Sequence, residues 1–392
     1  MIPKPITKDF PKDKLRLLFR EADEILILQP QKMGDAIMTE NFSAGVRKTL
    51  GFFAQYPVLD EKQKSCKLIL CTAFPEIFVH NPDFDGIISH EEYLSYLKNH
   101  LRNKNNLLVI DFSNDPANKI FFEFDRMIKW PVKQRPYFSQ ITFNWQNLPQ
   151  GKGEENSIAS RYLLLMEQIA EREFFPKPRF PKVYLPKDAS AIYQKIVKKY
   201  ELDPSKYKQV SVLTHQTNPV TELEEEKLFE LIELLSKKKR GLEINIIVDP
   251  RSKDQKWTKS LQERLLKLQG FSLFRSKKFH IISLNLPELA VFLSKQKLVI
   301  GTDSGIVHLS NAVGVKTISL RGPKSRHLIS NYRWDDAIYP DIKRCEFLKK
   351  SDTWQGKGYI APCYNEGKCL KDVHCLATID LEKIIRKVRE RL

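Results

Sequence analysis

The sequence predicts an α/β chain of two doubly wound, Rossmann-like parallel sheets, and three observations carry that reading. Short apolar runs alternate with amphipathic segments in both halves, the pattern of parallel strands joined by crossover helices. A proline-rich passage, Phe175-Pro176-Lys177-Pro178-Arg179-Phe180-Pro181, lies between the halves. Prolines cannot continue a helix and favour a stiff extended path, so the domains are expected over 1–180 and 181–392. Two apolar runs end on glycine-acid turns that open helices, Gly34-Asp35 and Gly301-Thr302-Asp303-Ser304-Gly305, as strand-to-helix turns do at the carboxyl edge of a wound sheet.

The elements follow in order. Residues 24–28 read as a strand, 35–50 as a helix, 67–71 as a strand, 91–103 as a helix and 107–111 as a strand; a long helix over 157–173 precedes the prolines. The second half repeats the alternation, with strands over 209–214, 243–248, 280–283, 297–300 and 315–320. Helices are predicted over 222–238, 257–268 and 287–295, and a short one follows Gly305. A final helix places Leu381, Ile384, Ile385, Val388 and Leu392 on one apolar face that must dock. Two such halves leave an interdomain cleft, with ligands expected at the carboxyl ends of the strands.

Composition narrows the function. With 42% hydrophobic and 10% aromatic residues over 392 positions, full cores are available and a disordered tail is excluded. The balance of 65 Lys and Arg against 48 Asp and Glu gives a formal charge of +17, which favours anionic partners. The basic residues are dispersed, with no recognition element for nucleic acid. No apolar run is long enough to cross a bilayer, and Met1-Ile2-Pro3-Lys4-Pro5 has no signal-peptide core, so a cytoplasmic protein is expected. A helix over 12–23 carries Leu15, Leu18, Phe19 and Ala22 beside Lys12, Lys14, Arg16 and Arg20. It would dock on the first domain or rest on an anionic membrane.

The candidate chemistry sits at strand ends. After the 297–300 strand, Asp303 or Ser304 can cap the helix that Gly305 opens, leaving unpaired N–H groups that suit a phosphate; His308 lies one turn along. An ordinary capped helix start has the same pattern. After the 209–214 strand come Thr214-His215-Gln216-Thr217-Asn218-Pro219, polar groups fit for a diphosphate or a sugar or for plain turn chemistry, and Thr221 with Glu224 forms a capping-box pattern. In the first half, Lys32-Met33-Gly34-Asp35 sets a carboxylate at a helix start, as a functional group or as a cap. Four of six cysteines, Cys345, Cys363, Cys369 and Cys375, cluster near the end without a Cys-x-x-Cys pair. In a reducing compartment they read as a metal knot or as reduced thiols.

These motifs together resemble glycosyltransferase family 9, the heptosyltransferases of lipopolysaccharide core assembly. The likeness rests on Gly34-Asp35 after the first strand, Asn81-Pro82-Asp83-Phe84-Asp85, Gly301 to Leu309, and Ser319-Leu320-Arg321-Gly322-Pro323. It implies a GT-B fold of two facing Rossmann-like domains, acceptor on the first and sugar nucleotide on the second. The reaction would move a heptose from ADP-heptose with inversion onto a lipid-linked core saccharide, at the inner membrane's cytoplasmic face and with no required cofactor. Asp35 would be the general base. Lys32, Gly34, Gln216, Thr217, Asp303, Ser304, Gly305 and His308 would bind substrate. One branch heptosylates autotransporter proteins and holds iron on late cysteines, so a structural iron or zinc and a protein acceptor belong to the same resemblance. The family's phosphate-binding lysine is replaced here by Pro219-Val220-Thr221, which leaves a non-catalytic sugar-nucleotide-binding member, or a GT-B epimerase, as alternatives.

Overall fold

The computed structural model describes residues 12–29, 32–53, 66–102, 106–112, 138–142, 158–170, 175, 179–213, 218–238, 241–250, 255–270, 278–322, 334–341, 343, 345–348, 361–371 and 374–392. The chain divides into two compact units, Met1–Val183 and Tyr184–Leu392.

The first unit holds strands β1 (Glu24–Gln29), β2 (Lys67–Thr72), β3 (Gly86–Ser89), β4 (Leu107–Asp111) and β5 (Phe138–Thr142). They form one sheet in the order β3-β2-β1-β4-β5 with every neighbouring pair parallel. Its helices are α1 (Lys12–Glu21), α2 (Met33–Met38), α3 (Glu40–Phe53), α4 (Tyr93–Arg102) and α5 (Ile158–Ala170). Leu26, Leu28, Ile69, Cys71, Leu107 and Val109 bury one sheet face against Tyr93 and Leu97 of α4. The single helix expected over 35–50 is two, broken at Thr39, whose hydroxyl donates to the Ala36 carbonyl at 2.7 Å. Gly45 lets α3 and α5 approach closely, since a Cβ there would lie 2.8 Å from Met166 Cβ. Phe19 and Ala22 are buried and α1 packs on α5, so the amphipathic helix is docked on its own unit.

The described end of the proline-rich passage is laced onto α3 through Arg179 and Lys182. Arg179 sends both guanidinium nitrogens to the buried Glu40, at 2.7 and 2.8 Å, and stacks 4.6 Å over the Phe175 ring. The Lys182 N–H donates to the same carboxylate, and the Asn41 amide donates to the Ala159 and Arg179 carbonyls. Burial pushes the Glu40 carboxyl up, while Arg179 and the Lys182 N–H pull it back.

The second unit holds β6 (Lys208–Leu213), β7 (Leu242–Ile247), β8 (Lys278–Ile282), β9 (Leu298–Thr302), β10 (Thr317–Leu320) and β11 (Asp335–Ile338). Their order is β11-β10-β9-β6-β7-β8, again all parallel. Helices are α6 (Ala189–Lys199), α7 (Glu225–Lys238), α8 (Gln255–Gly270), α9 (Leu286–Ser294), α10 (Gly305–Ala312), α11 (Pro362–Glu366) and α12 (Leu381–Arg391). The final helix docks as its stripe demands: Leu381, Ile384, Ile385 and Val388 join Val210, Val212, Ile244, Ile246, Leu298, Ile300, Ile318 and Leu320 in one dry core. Among the described residues, no helix is long and apolar enough to cross a membrane.

Candidate functional site

Both sheets have a topological switch point, where neighbouring strands send their crossovers in opposite directions and open a crevice at their carboxyl ends. In the first unit this point lies between β1 and β4, and in the second between β6 and β9. Among the described residues, Lys32, Gly34 and Asp35 follow β1, and Asp303, Ser304, Gly305 and His308 follow β9.

In the first unit, β1 ends at Gln29, whose amide donates to the Phe112 carbonyl just past β4 at 3.3 Å. The chain then enters α2 with Lys32 as N-cap residue, exposed and making no side-chain cap bond. Gly34 is buried in the first turn and Asp35 follows it half-buried, so Asp35 lies inside the helix and is not its cap. A carboxylate in a first turn is favoured by the helix dipole. Phe112 is wedged edge-on between Phe42 of α3 and Tyr162 of α5, with ring centroids 4.9 and 4.7 Å away. Burial raises the Tyr162 hydroxyl far above its ordinary range, and the Asp35 carboxylate adds to the rise. Sequence reasoning missed this aromatic wall, because an aromatic on an apolar helix stripe reads as core.

The Asn81 to Asp85 segment is a latch in the same unit. The Asn81 side chain accepts from the Asp83 N–H, Arg47 of α3 donates to the Asp83 carbonyl and to the Asp85 carboxylate, and Asp85 also accepts from the Leu68 N–H. These contacts fix the turn into β3.

In the second unit, β9 delivers Asp303 and Ser304 directly onto α10. Ser304 is the N-cap, in extended conformation, with its hydroxyl accepting from the Val307 N–H at 3.4 Å. Gly305 opens the helix. His308 is buried one turn along, its Nε2 3.5 Å from Asp303 Oδ1. The same Asp303 oxygen accepts from Arg321 Nη1 at 3.1 Å. Arg321 is 1% exposed and its other arm, Nη2, donates to Asp335 Oδ2 at 2.6 Å. Desolvation opposes the Arg321 charge, but Asp335 and Asp303 outweigh it and hold the guanidinium above its ordinary pKa. Arg321 and Asp335 were not anticipated. The available signal was the polar series Thr317, Ser319, Arg321, which by strand alternation lies on one sheet face.

Other expectations change. A glycine at a strand end can give room for a ligand, yet at Gly301 a Cβ would strike Leu213 of β6, 2.6 Å from its Cδ1 and 2.8 Å from its Cβ and Cγ. Its missing side chain serves strand packing. The capping box at Thr221 does not form: Thr221 sits in a 3₁₀ turn, Pro219–Thr221, and its hydroxyl donates to the Asn218 carbonyl. Asn218 instead caps that turn and donates its amide to the Tyr364 carbonyl at 2.8 Å. Gln216 and Thr217 lie outside the described residues.

Cys345, Cys363 and Cys369 are neighbours of Cys375, as their sequence clustering suggests. Among the described residues no three His, Cys, Asp or Glu side chains form a group that could hold a metal ion. All four are free thiols. Cys363 packs with Val220 and Ala361, whereas Cys375 belongs to the dry core of the sheet. Burial, followed by its three cysteine neighbours, pushes Cys375 up to about 12.

Two doubly wound parallel units with helix starts of this kind at their switch points are the elements of a GT-B fold. Residues 250–346, the segment that contains Asp303 to His308, Arg321 and Asp335, match the model of glycosyltransferase family 9 (heptosyltransferase). The fold is similar to a family 9 glycosyl transferase from Veillonella parvula, with a TM-score of 0.61 at 15% identity, covering 94% of this chain and 96% of that one. It is similar to the E. coli ADP-heptose lps heptosyltransferase II, with a TM-score of 0.58, 15% identity and coverage of 94% and 98%. The E. coli heptosyltransferase WaaC, solved with ADP, gives 0.57 at 15% identity, covering 94% of this chain and all of its own. No curated protein matches the chain.

Proposed function

We propose that the chain transfers a heptose from ADP-heptose, with inversion at the anomeric carbon, to an anionic lipid-linked saccharide of the lipopolysaccharide core. The observation that carries this reading is the Ser304-capped start of α10 at the second unit's switch point, inside the segment that matches the heptosyltransferase family. Free N–H groups at a helix start suit a diphosphate.

In this reading the first unit holds the acceptor and the second the sugar nucleotide. Asp35 takes the proton of the acceptor hydroxyl as that oxygen bonds to the anomeric carbon. The bond from that carbon to the diphosphate oxygen breaks, and its electron pair leaves with ADP. The growing negative charge is met by the N–H groups of Ser304 and Gly305 at the helix start, with His308 beside them. Lys32 and Gly34 frame the acceptor side, and Gln216 and Thr217 the donor side. No metal is required for this transfer. The formal charge of +17 supports work against an anionic acceptor and peripheral contact with the cytoplasmic face of the membrane.

The test is calorimetric titration with ADP, UDP and GDP in metal-free buffer. Preference for ADP supports the proposal; preference for UDP moves the donor to a hexose, and no binding to any of the three overturns it.

A further inference from the structure

A charged side chain that is fully buried is costly, and replacing a buried ion cluster with apolar residues is often neutral or stabilising, so such a cluster is weak evidence for a stability role. The second unit nevertheless buries Arg321, Asp303, Asp335 and His308 together beneath the start of α10. The cluster has a direction. Thr317 and Ser319 of β10 each donate a hydroxyl to Asp335, both at 2.6 Å, and the Asn311 amide at the far end of α10 donates to Thr317 at 2.9 Å. Asp335 thereby fixes one arm of Arg321, and the other arm fixes Asp303, the last residue before the N-cap. The chain of contacts runs from β11 through β10 to the turn that opens the helix.

We propose that Arg321 is a positioning residue for nucleotide binding. Its two-armed grip neutralises Asp303, which would otherwise set an uncompensated carboxylate beside an incoming diphosphate, and holds that residue so that Ser304 and Gly305 keep their N–H groups aimed. This rests on the sugar-nucleotide reading of the same site. Arginine is required by the geometry: a planar fork reaches two carboxylates at once, whereas a lysine ammonium is a point charge that serves one. Asp335 is the anchor of the grip and itself bonds β10 hydroxyls rather than the turn.

The experiment is ADP titration by calorimetry of the full chain and of Arg321→Lys and Asp335→Asn. Fitted stoichiometry reports the folded fraction, and the fitted Kd reports the site within that fraction. Arg321→Lys should raise Kd about tenfold or more at near-unit stoichiometry, and Asp335→Asn should raise it by a smaller factor. A merely structural Arg321 lowers stoichiometry and melting temperature but leaves Kd where it was, and that result overturns the proposal. Should Arg321→Lys fail to fold, an unchanged Kd in Asp335→Asn overturns it equally. If the unaltered chain binds no nucleoside diphosphate, the functional reading fails and takes this proposal with it; wild-type binding with unmoved variants removes the Arg321 role alone.

Discussion

Replacing Gly301 with alanine tests whether this glycine serves packing or ligand approach. The added methyl would sit 2.6 Å from Leu213 Cδ1 and 2.8 Å from Leu213 Cβ and Cγ. A rotamer change can move Cδ1 and Cγ, but Cβ is fixed to the β6 backbone. Relief therefore requires β6 and β9 to separate at their carboxyl ends, just beyond the paired Val212 and Ile300. Overpacking of this kind costs about 1–3 kcal/mol, which for a unit of this size lowers the melting temperature by roughly 2–12 °C. Scanning calorimetry is the assay, because two units can melt in separate transitions and only the second unit's should move.

The double variant sharpens the test. Leu213 is almost fully buried, so Leu213→Ala alone leaves a cavity and costs about 2–5 kcal/mol. In Gly301→Ala with Leu213→Ala, the contacts with Cγ and Cδ1 are gone and the new methyl fills part of the space they vacated, while the 2.8 Å contact with Cβ remains. The combined loss should fall short of the sum by about 0.5–3 kcal/mol, the size of coupling seen between residues in contact. Strictly additive losses, or a Gly301→Ala melting temperature equal to the wild type, would refute the packing argument. Nucleotide affinity measured on the same variants should fall with Gly301→Ala and partly recover in the double variant.

Asp35→Asn keeps the shape of the α2 start and removes the base; transfer should fall by about 10²–10⁴ while ADP affinity holds, and undiminished turnover removes Asp35 from the mechanism. Arg179→Met strips the buried Glu40 of its partner and should cost the first unit about 3–5 kcal/mol, read as a lower melting temperature, with Glu40→Gln in the same chain restoring part of it. Glu243 is buried, and although desolvation raises its pKa, bonds from His280, Gln209 and the Asp203 N–H win and hold it below the ordinary value. A depressed carboxyl contributes stability that is full above its unfolded pKa of about 4.3 and lost as pH falls through the lower folded value. The second unit's melting temperature should therefore drop on acidification below about pH 4, and Glu243→Gln should flatten that drop.

Apolar periodicity made most of the architecture legible before any coordinates. Strands such as Ile25 to Leu28 and Lys67 to Cys71 are short apolar runs, and the helix from Leu381 carries its burial pattern openly. What was missed has physical causes. β3 is only Gly86-Ile87-Ile88-Ser89, β5 has just two apolar residues, Phe138 and Ile141, out of alternation, and β11 is Asp335-Asp336-Ala337-Ile338, whose acids argue against a strand until Arg321 and Arg391 are seen to pair with them. At the site, Ser304, Asp303 and His308 were readable because cap chemistry is local. Arg321 was not, since its partners lie 14 and 18 positions away and only the sheet brings them together.

The second sheet also departs from what a buried parallel sheet leads one to expect, which is strands apolar on both faces. Here β6, β7 and β10 alternate. Val210, Val212, Ile244, Ile246, Ile318 and Leu320 face the dry core, while Gln209, Ser211, Glu243, Asn245, Thr317 and Ser319 are equally buried on the other side. Period-two alternation normally marks a strand with one wet face. Most of the polarity is satisfied internally instead: Ser211 and Asn245 bond Gln296, Asn245 bonds Gln209, and Glu243 holds Gln209 and His280, while Asn245 Oδ1 is left without a partner among the described residues. Buried polar groups that find such partners specify a single arrangement more sharply than apolar packing does. On this face the bonds lock β6 to β7 and to the segment entering β9, its partner across the switch point. These bonds brace the amino ends of the strands, whereas at the carboxyl ends Arg321 ties Asp303 to Asp335 of β11 and so fixes the turn that opens α10.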